Sequence, residues 1–227
     1  VYERQVLAKM HRLLYAFDDA FYQTHMQKPE STLGSFVEDG TLANLSALWV
    51  ARNRLFSPSD GFDGVEKEGL AKAMAHYGIR DVKVLVSELG HYSIRKAAGV
   101  LGLGSEAVVP VAVDADNRME LGALNNCLDA CQSKPGTAIM AVIGIAGTTE
   151  TGSVDPLGDI ADVCRRHGVH FHVDAAWGGP VLLSHTYGSL LDGIQHADSI
   201  TVDGHKQFYL PMSNGMVYFK DPHAMDA

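Results

Sequence analysis

No stretch of this chain approaches the roughly 18–20 consecutive apolar residues that a membrane helix needs, and no membrane segment is expected. No basic stripe is present either. Its 18 Lys and Arg are scattered among 27 Asp and Glu, for a net charge of −9. That excludes the basic face by which proteins hold nucleic acid. The opening residues VYERQVLAKM carry charge where a secretory leader would be apolar. They also lack an initiator Met, which points to further residues upstream. Cysteine is scarce, with Cys127, Cys131 and Cys164 an odd set that reads as reduced thiols of a cytoplasmic protein. Cys127 and Cys131 share a face of an expected helix, but two thiols are weak metal evidence. Repeats and low-complexity linkers are absent.

What remains is ordinary globular material, 46% hydrophobic and 20% charged over 227 residues. That length suits one large domain or an incomplete piece of a bigger one. Apolar residues at Val6, Leu7, Met10, Leu13, Leu14 and Phe17 mark a first helix. After the turn-rich KPESTLG, Gly40 and Thr41 open a helix whose buried side is expected to be Leu42, Leu45, Leu48 and Trp49. Residues 65–77 read as one more helix. From residue 82 strands and helices alternate: strands at 82–87, 107–113, 138–147, 169–175, 199–203 and 215–219, with helices at 91–102, 120–133 and 155–168. Continuous apolar strands separated by helices imply a mainly parallel sheet covered on both faces. Ligands of such sheets sit at the carboxyl ends of the strands. Gly147-Thr148-Thr149, Asp174 and Gly204-His205-Lys206 all fall just past strand ends, on one edge.

Each of these residues has a plain explanation beside a chemical one. Lys206 could be a surface lysine lying along its own stem, yet it follows Gly-His, precedes aromatics, and comes one strand after an acid. A lysine that forms a Schiff base needs a site that helps it lose its proton. Asp174 could cap a turn or pair with a cation; alternatively it could hold a protonated pyridine nitrogen. His91, in SELGHYSIRKAAG, could make a structural bond at a helix start, or stack on a planar ring. Gly40 and Thr41 offer the backbone N–H groups of a helix start to a phosphate. A metal reading is also open, because His170, His172 and Asp174 alternate onto one strand face. It lacks a further ligand set and leaves Gly204-His205-Lys206 unexplained, so no metal is expected.

Taken in order, GTLANLSALWVARN, SELGHYSIRKAAGVLGLG, GIAGTTETGSVDPLGDIADVC, HVDAAWGG and DGHK resemble the group II pyridoxal-phosphate amino-acid decarboxylases. The resemblance runs from about residue 1 to 221, and its nearest look is to bacterial aspartate decarboxylases. It implies the α/β large domain of fold-type I enzymes, a mostly parallel mixed sheet between helices. Residues 1–34 would form an N-terminal helical segment and 35–227 the cofactor domain. Lys206 would hold pyridoxal 5'-phosphate as a Schiff base. Asp174 would pair with the ring nitrogen, Ala176 would lie against the ring and His91 would stack on its other face. Thr148 would sit near the ring's substituents and help orient Asp174, while Gly40, Thr41 and His205 would meet the phosphate.

The implied reaction is decarboxylation of an L-amino acid, with an acidic substrate such as aspartate or glutamate, in a cytoplasmic homodimer. Another fold-type I reaction, transamination or lyase chemistry, is the alternative enzyme. An inactive subunit partner is the alternative from another class. The sequence departs from the family in two ways. Glu38 and Asp39 stand where small residues are usual, and two carboxylates beside a phosphate repel it unless they point away. The chain also stops 21 residues after Lys206. The expectation is therefore a large domain without its small C-terminal partner, weak or inactive by itself.

Overall fold

The apolar runs of the second half become neighbouring strands because each is long enough to be buried on both faces and each is followed by a helix that covers it. The computed structural model describes residues 1–226. Among them one seven-stranded sheet is formed by β1 (Gly34–Val37), β2 (Asp81–Ser87), β3 (Val108–Val111), β4 (Thr137–Ile145), β5 (His170–Asp174), β6 (Ser199–Asp203) and β7 (Gly215–Phe219). Their order across the sheet is β1-β7-β6-β5-β4-β2-β3. Strands β2 to β6 are mutually parallel, and β7 runs antiparallel to both β6 and β1. This is the expected α/β class.

Eight α-helices accompany the sheet: α1 (Tyr2–Tyr15), α2 (Asp19–His25), α3 (Gly40–Leu55), α4 (Val65–Glu68), α5 (Leu70–Tyr77), α6 (Ser93–Val100), α7 (Leu121–Gln132) and α8 (Leu157–His167). Strand alternation sorts their contacts. Val82, Val84 and Val86 pack with Leu48 of α3, Ala73 of α5 and Ile94 of α6 on one face. Leu85, Val142, Phe171 and Ile200 pack with α1, α7 and α8 on the other. The N-terminal helices share that core. Leu7, Leu14 and Tyr15 are buried in it. His11 bonds to the carbonyl of Phe219 through Nε2 (2.9 Å) and to the hydroxyl of Tyr22 through Nδ1 (2.9 Å). No described helix is long and apolar enough to cross a membrane.

Four local expectations need correction. The helix expected over 65–77 is two, because Gly69 takes a left-handed φ of 81° between α4 and α5. The strand expected over 107–113 is limited to Val108–Val111. His91 does not begin its helix, which starts two residues later at Ser93. The buried face of α3 is also different. Leu42 and Trp49 are exposed, whereas Ala43, Asn44, Ala47, Leu48, Val50 and Ala51 are buried. Small side chains let α3 lie close over β6 and β7, where Ala43, Ala47 and Val50 meet Val217 and Phe219.

The strand β1 was not expected, and it has a functional consequence. It pairs with β7, which is antiparallel to it as to β6, so β1 runs the same way as β6. Its last residue, Val37, therefore delivers the chain to the start of α3 at the edge where β2, β4, β5 and β6 end.

Candidate active site

That edge carries a cleft of roughly 200 Å³. The carboxyl end of β2 contributes His91, β4 contributes Gly147 and Thr148, β5 contributes Asp174 and Ala176, and β6 contributes His205 and Lys206. The first turn of α3 adds Gly40 and Thr41. The eight residues for which the resemblance implies a cofactor contact thus line one cavity, together with Gly147. Strands β2 and β4 are neighbours from which the chain proceeds in opposite directions, toward β3 and toward β5. A parallel sheet opens a crevice at such a reversal.

Glycine is what lets these elements meet. A Cβ on Gly40 would lie 2.8 Å from Asp203 Oδ2 and 3.2 Å from the Cβ of Ala176. No other residue allows α3 to start so close to the ends of β5 and β6. A Cβ on Gly178 would be driven into the carbonyl oxygen of Ala146, to which the Gly178 N–H donates at 3.0 Å. The loop after β5 is thereby seated on the loop after β4.

Asp174 is buried at the floor of the cleft. The Ala176 N–H donates to its Oδ1 (3.1 Å), and Asn44 Nδ2 donates to its Oδ2 (2.8 Å). Asn44 also donates to Ser93 Oγ (3.1 Å), and Ser93 Oγ lies 2.9 Å from His91 Nδ1. The orienting role implied for Thr148 therefore falls to Asn44. The Thr148 hydroxyl is turned instead to Thr151 Oγ1 (2.6 Å) and Ser153 Oγ (3.1 Å), within the loop after β4.

Lys206 is held by a residue that sequence reasoning passed over. Its Nζ lies 3.1 Å from Oδ2 of Asp203, and His205 Nε2 lies 3.8 Å from the same oxygen. Burial raises the Asp203 carboxyl above the ordinary carboxylate range, and the Lys206 charge opposes that shift. Its other oxygen, Oδ1, is buried without a hydrogen-bond partner among the described residues. The signal was present in the DGHK run, since the same strand end supplies both the acid and the amine.

The two unusual carboxylates part company. Glu38 is exposed, with Ser213 Oγ 3.5 Å from its Oε1. Asp39 lines the cleft as the N-cap of α3, accepting the Leu42 N–H at Oδ1 (2.9 Å). It stays on the cleft wall and takes one of the free N–H groups an anion would use.

The strand face bearing His170, His172 and Asp174 is as alternation requires, but its histidines are engaged with neighbours. His170 Nε2 meets Ser199 Oγ (2.9 Å), while His172 meets Ser199 Oγ through Nδ1 (2.8 Å) and Asn44 Oδ1 through Nε2 (3.0 Å). Burial drives His172 down to about 3.

These donors suit pyridoxal phosphate. One buried carboxylate with a fixed direction is available for a ring nitrogen, one amine for an aldehyde, and one helix start next to hydroxyls for a phosphate. The close approach of Gly40 to Asp203 and Ala176 makes the cradle. Asp39 is the one poor match.

Comparison with known proteins agrees. The family model described as "Pyridoxal-dependent decarboxylase conserved domain" matches residues 5–227. An aspartate 1-decarboxylase of Aliivibrio fischeri is 51% identical over 225 residues, covering 99% of this chain and 41% of that protein. An L-2,4-diaminobutyrate decarboxylase of Acinetobacter baumannii is 36% identical over 194 residues, covering 83% of this chain and 37% of that one. Among solved structures, the apo form of mouse CSAD superposes with a TM-score of 0.80 at 34% identity, over 96% of this chain and 41% of the other. The chain thus spans about two fifths of the length of these relatives.

Proposed function

The chain belongs to the pyridoxal-dependent decarboxylase family, and from that premise we propose that the whole protein removes the α-carboxyl group of an acidic L-amino acid, aspartate first. The observation that carries this is the convergence of Lys206, Asp174 and His91, from three different strand ends, on one cleft. The choice of aspartate draws on the Aliivibrio fischeri relative.

When bound, pyridoxal phosphate supplies an electron sink for the pair left behind as carbon dioxide departs. The chain's own residues make that sink usable. Lys206 would supply the amine that holds the cofactor covalently. Asp203 keeps this amine aimed from the last position of β6. Asp174, an acceptor fixed by Asn44 and Ala176, holds a proton at the ring nitrogen. His91 covers one ring face and Ala176 lies against the other. Gly40, Thr41 and His205 would meet the phosphate, and Thr148 would sit near the ring's substituents.

A homodimer completes the proposal. Exposed Tyr209, Leu210 and Met212 lie on the loop just after Lys206, and an apolar surface beside the cleft suits a second copy. The three free cysteines, two buried and one half-buried, suit a reducing cytoplasm.

The test is borohydride reduction of the intact protein with pyridoxal phosphate, followed by mapping of the labelled residue. The expected result is label on Lys206 and none in Lys206→Ala. With L-aspartate, carbon dioxide and β-alanine are expected; oxaloacetate instead would indicate transamination.

A further inference from the structure

The polar layer beneath α3 has more order than a buried cluster needs, and the order follows from one constraint. An ionised carboxylate can only accept hydrogen bonds. The Asn44 group 2.8 Å from Asp174 Oδ2 must therefore be its NH₂, which leaves Oδ1 facing His172 Nε2 at 3.0 Å. His172 must then carry its proton on Nε2 and present a lone pair at Nδ1. The hydroxyl of Ser199, 2.8 Å away, donates to that lone pair; the Ser199 carbonyl oxygen lies farther from the same nitrogen, at 3.1 Å, and is the acceptor that the opposite tautomer would use. Ser199 Oγ in turn accepts from His170 Nε2 at 2.9 Å. The side-chain bonds from His170 through Ser199, His172 and Asn44 thus point the same way, ending on Asp174.

The carboxylate selects the NH₂ end of Asn44, and His172 holds the amide's oxygen on the far side, so turning the amide over would break both bonds at once. The second N–H of Asn44 goes to Ser93 Oγ, leaving that hydroxyl to donate to His91 Nδ1. One asparagine therefore addresses both Asp174 and His91.

Resting on the reading above that Asp174 meets the cofactor's ring nitrogen, we propose that Asn44 and His172 are a positioning pair. They keep the Asp174 carboxylate aimed at that nitrogen and, through Ser93, orient His91. Burial, which pushes His172 down to about 3, keeps its ring neutral as the pair requires. Neither residue touches the reacting atoms in this scheme. Outer partners of this kind act through the residues they hold; around metal ligands their loss typically costs on the order of ten- to hundred-fold in affinity, and a loss of that order is expected here.

The test has two parts. In intact protein without cofactor, with ¹⁵N-labelled histidine, the His172 signals should show the Nε2–H tautomer, assigned by their loss in His172→Gln. A Nδ1–H tautomer would overturn the proposal, whatever the cofactor affinity of the variants. In protein loaded with pyridoxal phosphate labelled at the ring nitrogen, wild type should show a protonated nitrogen. That signal should weaken, and cofactor affinity fall by the factor above, in Asn44→Leu and His172→Phe. His172→Gln, whose amide N–H can still donate to Asn44, should retain both. An unchanged nitrogen signal and affinity in a folded His172→Phe protein would also overturn the proposal. Wild type with no bound cofactor would instead overturn the underlying reading of Asp174, and the pair's role with it.

Discussion

Asp203 Oδ2 and Lys206 Nζ lie 3.1 Å apart across the turn that ends β6, the acid fully buried and the lysine one-third exposed. Removing the cation leaves a buried carboxylate alone, which raises the Asp203 carboxyl further than burial already does. A raised acid contributes stability while protonated and loses it as pH rises through its folded pKa. Lys206→Met should therefore lose stability relative to wild type as pH rises above the ordinary carboxylate range, by about 2 kcal/mol. That figure is less than for a fully buried pair because Lys206 is partly solvated. Adding Asp203→Asn should recover most of it. Urea unfolding at pH 5 and pH 8 on the four proteins reads the cycle directly.

Asp39 caps α3 with a charge that also faces the cleft. Asp39→Asn keeps an oxygen for the Leu42 N–H and removes the negative charge, so helix stability should change by less than about 0.5 kcal/mol. Binding of pyridoxal phosphate should tighten by on the order of ten-fold, since the repulsion is removed while the N–H donors stay. Equilibrium dialysis measures this, and weaker binding would mean that Asp39 helps the phosphate rather than opposing it.

Acid should destabilise the fold through its buried histidines. Burial lowers His11 to about 4 and His172 to about 3. A depressed histidine contributes stability above its ordinary value of 6.5, and that contribution is lost as pH falls toward the folded value. His11→Gln removes one such group while an amide can still donate to the Phe219 carbonyl. Its stability should fall less than wild type between pH 7 and pH 4, by roughly 3 kcal/mol at most. Parallel slopes would show that His11 is not the titrating group.

Gly178→Ala should damage the cleft from behind. The added methyl meets the Ala146 carbonyl, so the loops after β4 and β5 must separate. A loss of roughly 2–3 kcal/mol in thermal or urea unfolding is expected, with weaker cofactor binding alongside. Gly152→Ala is the contrast: nothing lies within 4 Å of its Cβ, so only its left-handed φ of 71° is at stake.

Composition and local pattern determined a good deal. Apolar runs alternating with helices require a parallel sheet covered on both faces, and such a sheet gathers its strand ends on one edge. That is why Lys206, Asp174 and Thr148 could be assigned to one edge without coordinates, whereas His91 and the start of α3 joined them only through the family resemblance. Periodicity was less informative for α3, because its inner face is built from alanines and an asparagine, while Leu42 and Trp49 stand outside. The short β1 gave no pattern, since four residues with no clear alternation look like loop.

Only tertiary structure decided what holds the key groups. Asn44 and Asp174 are 130 positions apart, and Asn44 and His172 are 128 apart. Nothing local in the chain distinguishes Asn44 from a surface asparagine. A hydrogen bond is directional and acts over about 3 Å. Its partners are therefore chosen by how elements cross, whereas the residues lining the cleft follow from where strands stop.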